Sequence, residues 1–129
     1  MTGVRVFLGL SVLVWLPYGL YLAASPDALA GIAGVAATTA TGTTELRAMY
    51  GGAQAAIGAI ALLGLVRAAH ARAALVTLGC LTAGLGSVRL AGAVVDGSFG
   101  AYTNGALVLE LGSVALVAAL LRRGSTAGA

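Results

Sequence analysis

Four long apolar segments constrain what this chain can fold into. Each holds about 20 residues, which as a helix would rise about 30 Å and match the hydrocarbon core of a bilayer. Strands are excluded because the segments lack apolar–polar alternation and are about twice as long as a barrel strand. In lipid the backbone must hydrogen-bond within each segment, so we predict an all-α fold. The predicted helices cover about residues 4–24, 44–66, 73–95 and 102–121 of a single four-helix transmembrane domain, residues 1–129.

The composition of the chain excludes a water-soluble domain. Hydrophobic residues make up 60% of the 129 residues and charged residues 9%, and the mean hydropathy is +1.02. A soluble domain has about 25% charged residues, so the surface here must be solvated by lipid. The formal net charge is +3, but the basic residues form no patch interleaved with aromatic residues. We therefore expect membrane lipid, and no nucleic acid, as a partner.

The arginines are distributed unevenly between the two ends of the segments. The loops on one side contain Asp27 and Asp96 and no Lys or Arg. Cytoplasmic loops of membrane proteins are rich in Lys and Arg. We therefore predict an integral membrane four-helix bundle in the bacterial inner (plasma) membrane, multi-pass, with both termini cytoplasmic. The five arginines that flank the cytoplasmic side are Arg5, Arg67, Arg72, Arg122 and Arg123.

Polar residues inside the apolar segments lie at one depth. Arg89 stands about two turns before the outer end of the third segment, and Glu110 about two turns after the outer start of the fourth. A charge at this depth costs several kcal/mol unless it faces the bundle interior and a partner. We expect Glu110 to pair with Arg47 or with Arg89, forming an intramembrane salt bridge.

Helical periodicity brings further polar side chains to the same place. Arg47, Tyr50 and Gln54 follow one stripe of the second segment. We predict that Arg47, Tyr50, Arg89 and Glu110 converge on one polar cavity in the outer half of the bundle. The full set of candidate ligand-binding residues is Tyr18, Glu45, Arg47, Tyr50, Gln54, Arg89 and Glu110.

Several functions fit such a cluster. It could fix the helix register without any ligand, or hold a lipid or small amphiphile. A membrane-embedded enzyme could use Glu110 or Glu45 as acid or base on a lipophilic substrate, and a small transporter or channel subunit is a further alternative. We assign no catalytic residue, metal or cofactor, because His70 lies on the side opposite the acids and no metal-ligand spacing occurs. Small residues spaced like Gly51 and Ala55 favour close helix packing and leave a homo-oligomer open.

The run "ELRAMYGGAQAAIG" resembles a family of small bacterial four-helix membrane proteins catalogued as domain of unknown function 4345. The resemblance covers most of the chain, and its specific motif is the acid-x-Arg-Ala-x-Tyr-Gly-Gly run that opens the second helix. It implies a four-helix integral membrane protein and no particular activity. A more distant similarity to the DoxX-like membrane proteins carries no residue across. The matching residues are Glu45, Arg47, Tyr50, Gly51, Gly52, Arg89 and Glu110.

Overall fold

The chain is almost entirely helical over residues 2–126, which are the residues that the computed structural model describes. Six α-helices follow one another without any strand among these residues. A π-helical turn, Arg47–Gly52, joins α3 to α4, so that these two form one continuous helix, the α3–α4 helix. The α-helices are α1 (Thr2–Ala24), α2 (Leu29–Ala33), α3 (Ala40–Leu46), α4 (Ala53–Val66), α5 (Ala71–Asp96) and α6 (Ala101–Thr126).

Four helices are long and apolar enough to cross a membrane. They are Thr2–Ala24, Ala40–Val66, Ala68–Asp96 and Ala101–Arg123. The second begins four residues before the predicted start at residue 44, because Thr39 caps it. The Thr39 backbone is extended, and its hydroxyl accepts a hydrogen bond from the Gly42 N–H at 3.0 Å, which satisfies one of the free donors of the first turn.

The long connection after α1 is folded onto the bundle. Pro26–Ala28 forms a 3₁₀ turn, and α2 follows it until Gly34 ends the helix with a positive φ of 69°. Pro26 and Leu29 are both fully buried. These two side chains anchor the connection beside the end of α1.

Helix α1 packs antiparallel against the α3–α4 helix at very short distances. A Cβ on Gly19 would lie 2.2 Å from the Ala55 nitrogen, and one on Gly58 would lie 2.5 Å from the Leu16 nitrogen. At the far end of the same seam, a Cβ on Gly51 would lie 2.5 Å from the Ala23 Cα. Only glycine fits at these positions, and the predicted packing of Gly51 and Ala55 as a small-residue face is confirmed. The seam lets two helices touch backbone to backbone, which is how helices associate in lipid.

Each of the remaining membrane-length helices packs on the one that precedes it in the chain. Helix α5 packs on α4, and α6 packs on α5, whereas α1 and α6 touch each other only sparsely. A groove therefore runs between α1 and α6. The buried core fills one half of the bundle and consists of Phe7, Leu8, Trp15, Ile57, Ala61, Ala74, Leu75, Leu78 and Val117.

The ends of the helices that carry the predicted cytoplasmic arginines lie together. Val4 and Arg5 of α1 share a small cavity with Val66 of α4 and Ala71 of α5, and a Cβ on Gly3 would lie 3.2 Å from Leu120 of α6. We call this end of the bundle the arginine-rich end.

Alanine substitutions at Gly51 and Gly52 test the close helix seam. Gly51→Ala should lower the free energy of unfolding by about 1–3 kcal/mol, because its Cβ overlaps the backbone of α1. The neighbouring Gly52→Ala should leave stability unchanged or raise it by up to about 1 kcal/mol, because Gly52 is exposed and its nearest atom is 3.9 Å away. Thermal unfolding in detergent micelles measures both. Equal stabilities for the two variants would contradict the described seam.

Candidate ligand-binding site

A buried ion pair joins α5 to α6 in the half of the bundle away from the arginine-rich end. The Arg89 Nη2 donates to Glu110 Oε1 at 2.7 Å, and the Arg89 Nε donates to Oε1 and Oε2 at 3.1 and 2.9 Å. Side-chain exposure is 2% for Glu110 and 27% for Arg89. This fork geometry is the strong form of an Arg–carboxylate contact. The expected ion pair of Glu110 is therefore confirmed, with Arg89 rather than Arg47 as the partner.

Small and aromatic neighbours hold the ion pair in place. A Cβ on Gly86 would lie 3.2 Å from the Glu110 Cβ and 2.9 Å from Leu111, so glycine allows α6 to approach α5 at this level. On the other side, the Arg89 guanidinium carbon lies 5.8 Å from the centre of the Tyr102 ring, within the range of a cation–π contact. Arg89 is thus positioned by α6 from two directions.

A cavity of about 340 Å³ lies beside the ion pair, between α1 and α6. We call it the polar cavity. Its deeper wall includes Gln54, Arg89 and Glu110, which come from three different helices. Residues nearer the mouth, such as Val14, Gly105 and Leu109, are exposed on the apolar surface of the bundle. The complete lining is Val14, Trp15, Tyr18, Gln54, Arg89, Ala101, Tyr102, Gly105, Ala106, Leu109 and Glu110.

Two residues that line the polar cavity each carry a buried polar atom with no hydrogen-bond partner of normal geometry among the described residues. These atoms are the Tyr18 hydroxyl and the Gln54 Oε1. Tyr102 lies close enough to the Tyr18 hydroxyl for a side-chain hydrogen bond outside normal geometry, and Tyr50 interacts with Tyr18 electrostatically. An unsatisfied buried polar group costs about 1–3 kcal/mol. The acceptor of Gln54 and the hydroxyl of Tyr18 are therefore the groups at the wall of the polar cavity that a ligand could satisfy after a small side-chain shift.

The π-helical turn over Arg47–Gly52 separates residues that periodicity had placed on one stripe. The Ala53 N–H donates to the carbonyl of Ala48, five residues back. A π turn accommodates one extra residue, which rotates the residues after the turn by about 100° relative to a continuous α-helix. The predicted stripe of Arg47, Tyr50 and Gln54 is therefore broken. Gln54 lines the polar cavity, and Arg47 does not.

Arg47 instead binds the end of α1. Its Nη1 donates to the carbonyls of Ala23 and, at 3.1 Å, Ala24. The last carbonyls of a helix lack partners within the helix and carry its negative dipole end, so a cation there is stabilising. The prediction that Arg47 converges on the polar cavity is wrong because α1 ends within its reach. Arg47 therefore links the α3–α4 helix to α1 outside the polar cavity.

The other predicted site residues divide into two groups. Tyr18, Gln54, Arg89 and Glu110 line the polar cavity, and half-buried Tyr50 is close enough to interact electrostatically with Tyr18 and Arg89. Glu45 is exposed on α3 and forms no ion pair among the described residues. It is not among the residues that line the polar cavity.

Sequence reasoning missed Tyr102 and Trp15, which both line the polar cavity. Tyr102 precedes Glu110 by two helical turns, with Ala106 between them, and a spacing of four residues places all three on one face. That spacing was the available signal. Within the described part of the chain no group of three His, Cys, Asp or Glu side chains could hold a metal ion.

These features define a helical multi-pass membrane protein with a polar cavity between two of its helices. The chain belongs to the family described as domain of unknown function DUF4345, whose model matches residues 3–121. Comparison with curated proteins and with solved structures gave no significant match.

Substitution of Glu110 tests the contribution of the ion pair to stability. Glu110→Gln leaves the Arg89 charge inside the bundle without its counter-ion, which should lower the free energy of unfolding by about 3–5 kcal/mol. Exposed Glu45 provides a matched control, and Glu45→Gln should change stability by less than about 0.5 kcal/mol. The double variant Arg89→Gln/Glu110→Gln should recover part of the loss, because no lone charge remains. If thermal unfolding shows the same small effect for both single variants, the pair is not buried as described.

Proposed function

We propose that this protein binds a lipid or small amphiphile that enters the polar cavity sideways from the membrane. The observation that supports this proposal is the shape of the polar cavity. Gln54, Arg89 and Glu110 form its polar wall, and it opens between two membrane-length helices. A mouth at this place opens onto lipid tails rather than onto water. An amphiphile can therefore place its head among the polar groups while its tail stays in apolar surroundings.

The arrangement favours binding over a purely structural ion pair. A structural pair needs only its own hydrogen bonds, which Arg89 and Glu110 already supply to each other. It does not account for a cavity of about 340 Å³ beside it, nor for the unsatisfied atoms of Tyr18 and Gln54. Buried polar groups in folded proteins usually have partners, and a bound head group would supply them.

The enzyme and transport alternatives find less support. Both Glu110 oxygens accept hydrogen bonds from Arg89, so this carboxylate is directed at the guanidinium and away from a substrate. Glu45 is exposed and does not line the polar cavity. Towards the arginine-rich end, the hydroxyls of Ser11 and Ser113 donate to carbonyls of their own helices, and the groove there is lined mainly by apolar residues. A polar path across the membrane does not continue.

A larger side chain at Gly105 tests the proposed binding. Gly105 lines the polar cavity, and a Cβ there would meet no atom within 4 Å. Gly105→Phe should therefore fold normally, fill the space and reduce the lipid or amphiphile that co-purifies, measured by native mass spectrometry per mole of protein. Gly9→Phe is the matched control, since Gly9 also has free space but lines neither the polar cavity nor the groove below it. Equal retention by Gly105→Phe, Gly9→Phe and the unmodified chain would refute the proposal.

The proposed location of the site follows from the arginines. We place the arginine-rich end on the cytoplasmic side of the bacterial inner membrane, because Lys and Arg concentrate in cytoplasmic loops. The polar cavity then lies in the outer-leaflet half of the bundle. An amphiphile of the outer leaflet would reach it without crossing the membrane.

Cysteine labelling tests this orientation. Cys80 is first replaced by alanine, and a single cysteine is then introduced at Ser98, between α5 and α6, or at Ala69, between α4 and α5. Both positions are exposed. In intact spheroplasts, an impermeant maleimide should label Ser98→Cys and spare Ala69→Cys until the membrane is opened. The reverse pattern would place the polar cavity in the cytoplasmic leaflet.

A further inference from the structure

The polar cavity continues into a second, apolar space. Below it, between the same two helices, lies a groove of about 280 Å³ that shares Val14, Trp15 and Leu109 with the polar cavity. We call it the apolar groove. It extends along α1 to Phe7 and along α6 to Leu116. From Tyr18 to Phe7 the helical rise is about 16 Å, so the combined site has the length of a medium acyl chain with its head.

The charges in the polar cavity cancel. Arg89 and Glu110 neutralise each other through three hydrogen bonds, and the other acid and arginine of this region, Glu45 and Arg47, lie outside the lining. A charged head group would enter a site with no free counter-ion. Burial of an unpaired charge in an apolar environment is strongly unfavourable. The site therefore discriminates against phosphate, carboxylate and ammonium heads.

The unsatisfied atoms specify what an uncharged head must carry. The Gln54 Oε1 needs a donor, and the Tyr18 hydroxyl can both donate and accept. The Arg89 Nη1 makes none of the hydrogen bonds of the ion pair, which use Nε and Nη2, and it can donate to a further oxygen. A hydroxyl group satisfies the first two atoms, and a carbonyl or ether oxygen satisfies the third.

On this basis, and resting on the proposed binding function, we propose that the ligand is an uncharged amphiphile with a hydroxyl and a carbonyl or ether oxygen in its head. Its single tail lies in the apolar groove and points towards the arginine-rich end. Monoacylglycerols and related hydroxylated esters belong to this chemical class. The shared chemistry, rather than one named lipid, is what the site recognises.

A series of dodecyl probes with different heads tests the head preference on the unmodified protein. The probes are dodecanoyl glycerol, methyl dodecanoate, dodecyl phosphate and dodecyltrimethylammonium, added to protein in micelles and measured by native mass spectrometry. Dodecanoyl glycerol should bind at least about tenfold more tightly than either charged probe, because only the charged heads lose hydration without a counter-ion. Methyl dodecanoate, which has no donor, should bind several-fold more weakly than dodecanoyl glycerol.

Two variants identify the atoms responsible. Tyr18→Phe removes the hydroxyl oxygen and Gln54→Leu removes both polar atoms of the amide, each with little change in side-chain size, so both should weaken dodecanoyl glycerol about fivefold to tenfold. Gln54→Leu should not change methyl dodecanoate by more than about twofold, because an ester without a donor does not use Gln54. Equal weakening of both probes by Gln54→Leu would show that packing, not hydrogen bonding, selects the head.

A third variant locates the tail. Gly112 lines the apolar groove, and a Cβ there would meet no atom within 4 Å. Gly112→Phe should weaken dodecanoyl glycerol several-fold and leave hexanoyl glycerol unchanged, because the shorter tail does not reach that level. Equal effects on both chain lengths would overturn the proposed tail direction.

The outcomes separate the two proposals. If a charged probe binds most tightly and Gly105→Phe blocks it, the polar cavity binds an amphiphile but the uncharged-head inference is wrong. If no probe binds more tightly to the unmodified protein than to Gly105→Phe, the binding function itself fails.

Discussion

Lipid gives membrane helices no hydrophobic reason to associate, and this constraint shapes the whole structure. Helices in lipid must be held by close van der Waals contact or by polar contacts. The chain uses both kinds of contact. Gly19, Gly51 and Gly58 bring α1 against the α3–α4 helix, and the Arg89–Glu110 ion pair joins α5 to α6. Away from the arginine-rich end neither kind of contact joins α1 to α6, so these two helices stay apart there and the polar cavity lies between them.

The sequence predicted those parts of the fold that depend on lipid solvation. Segment length and hydropathy indicate four helices, because a membrane span requires both. The ion pair was predictable from the depth of Arg89 and Glu110, since a charge there needs a partner. The Gly51–Ala55 face was predictable from its spacing. In each case a strong energetic requirement acts on residues that are close in sequence or equal in depth.

The role of Arg47 could not be predicted, because two structural facts decide it that no local pattern contains. One is the π turn, which has no characteristic residue type and moves Gln54 away from the stripe of Arg47. The other is the position where α1 ends, which brings the free carbonyls of Ala23 and Ala24 within reach of a residue more than twenty positions later. Periodicity assumes a regular helix, and it fails where the helix adds a residue. The Arg-Ala-x-Tyr-Gly-Gly motif shared with the family therefore serves partly to join two helices and only partly to form the candidate binding site.

The division of the bundle into a packed half and a polar half has a consequence for binding. Leu8, Leu78 and Val117 fill the core towards the arginine-rich end, and this packing does not involve the polar cavity. Trp15 belongs to both, since it is part of the core and also lines the cavity wall. The packed half can support the cost of unsatisfied atoms at Tyr18 and Gln54, about 1–3 kcal/mol each. Because a ligand bound only to the folded state adds stability by mass action, such a fold can exist without the proposed ligand and would be stabilised by it.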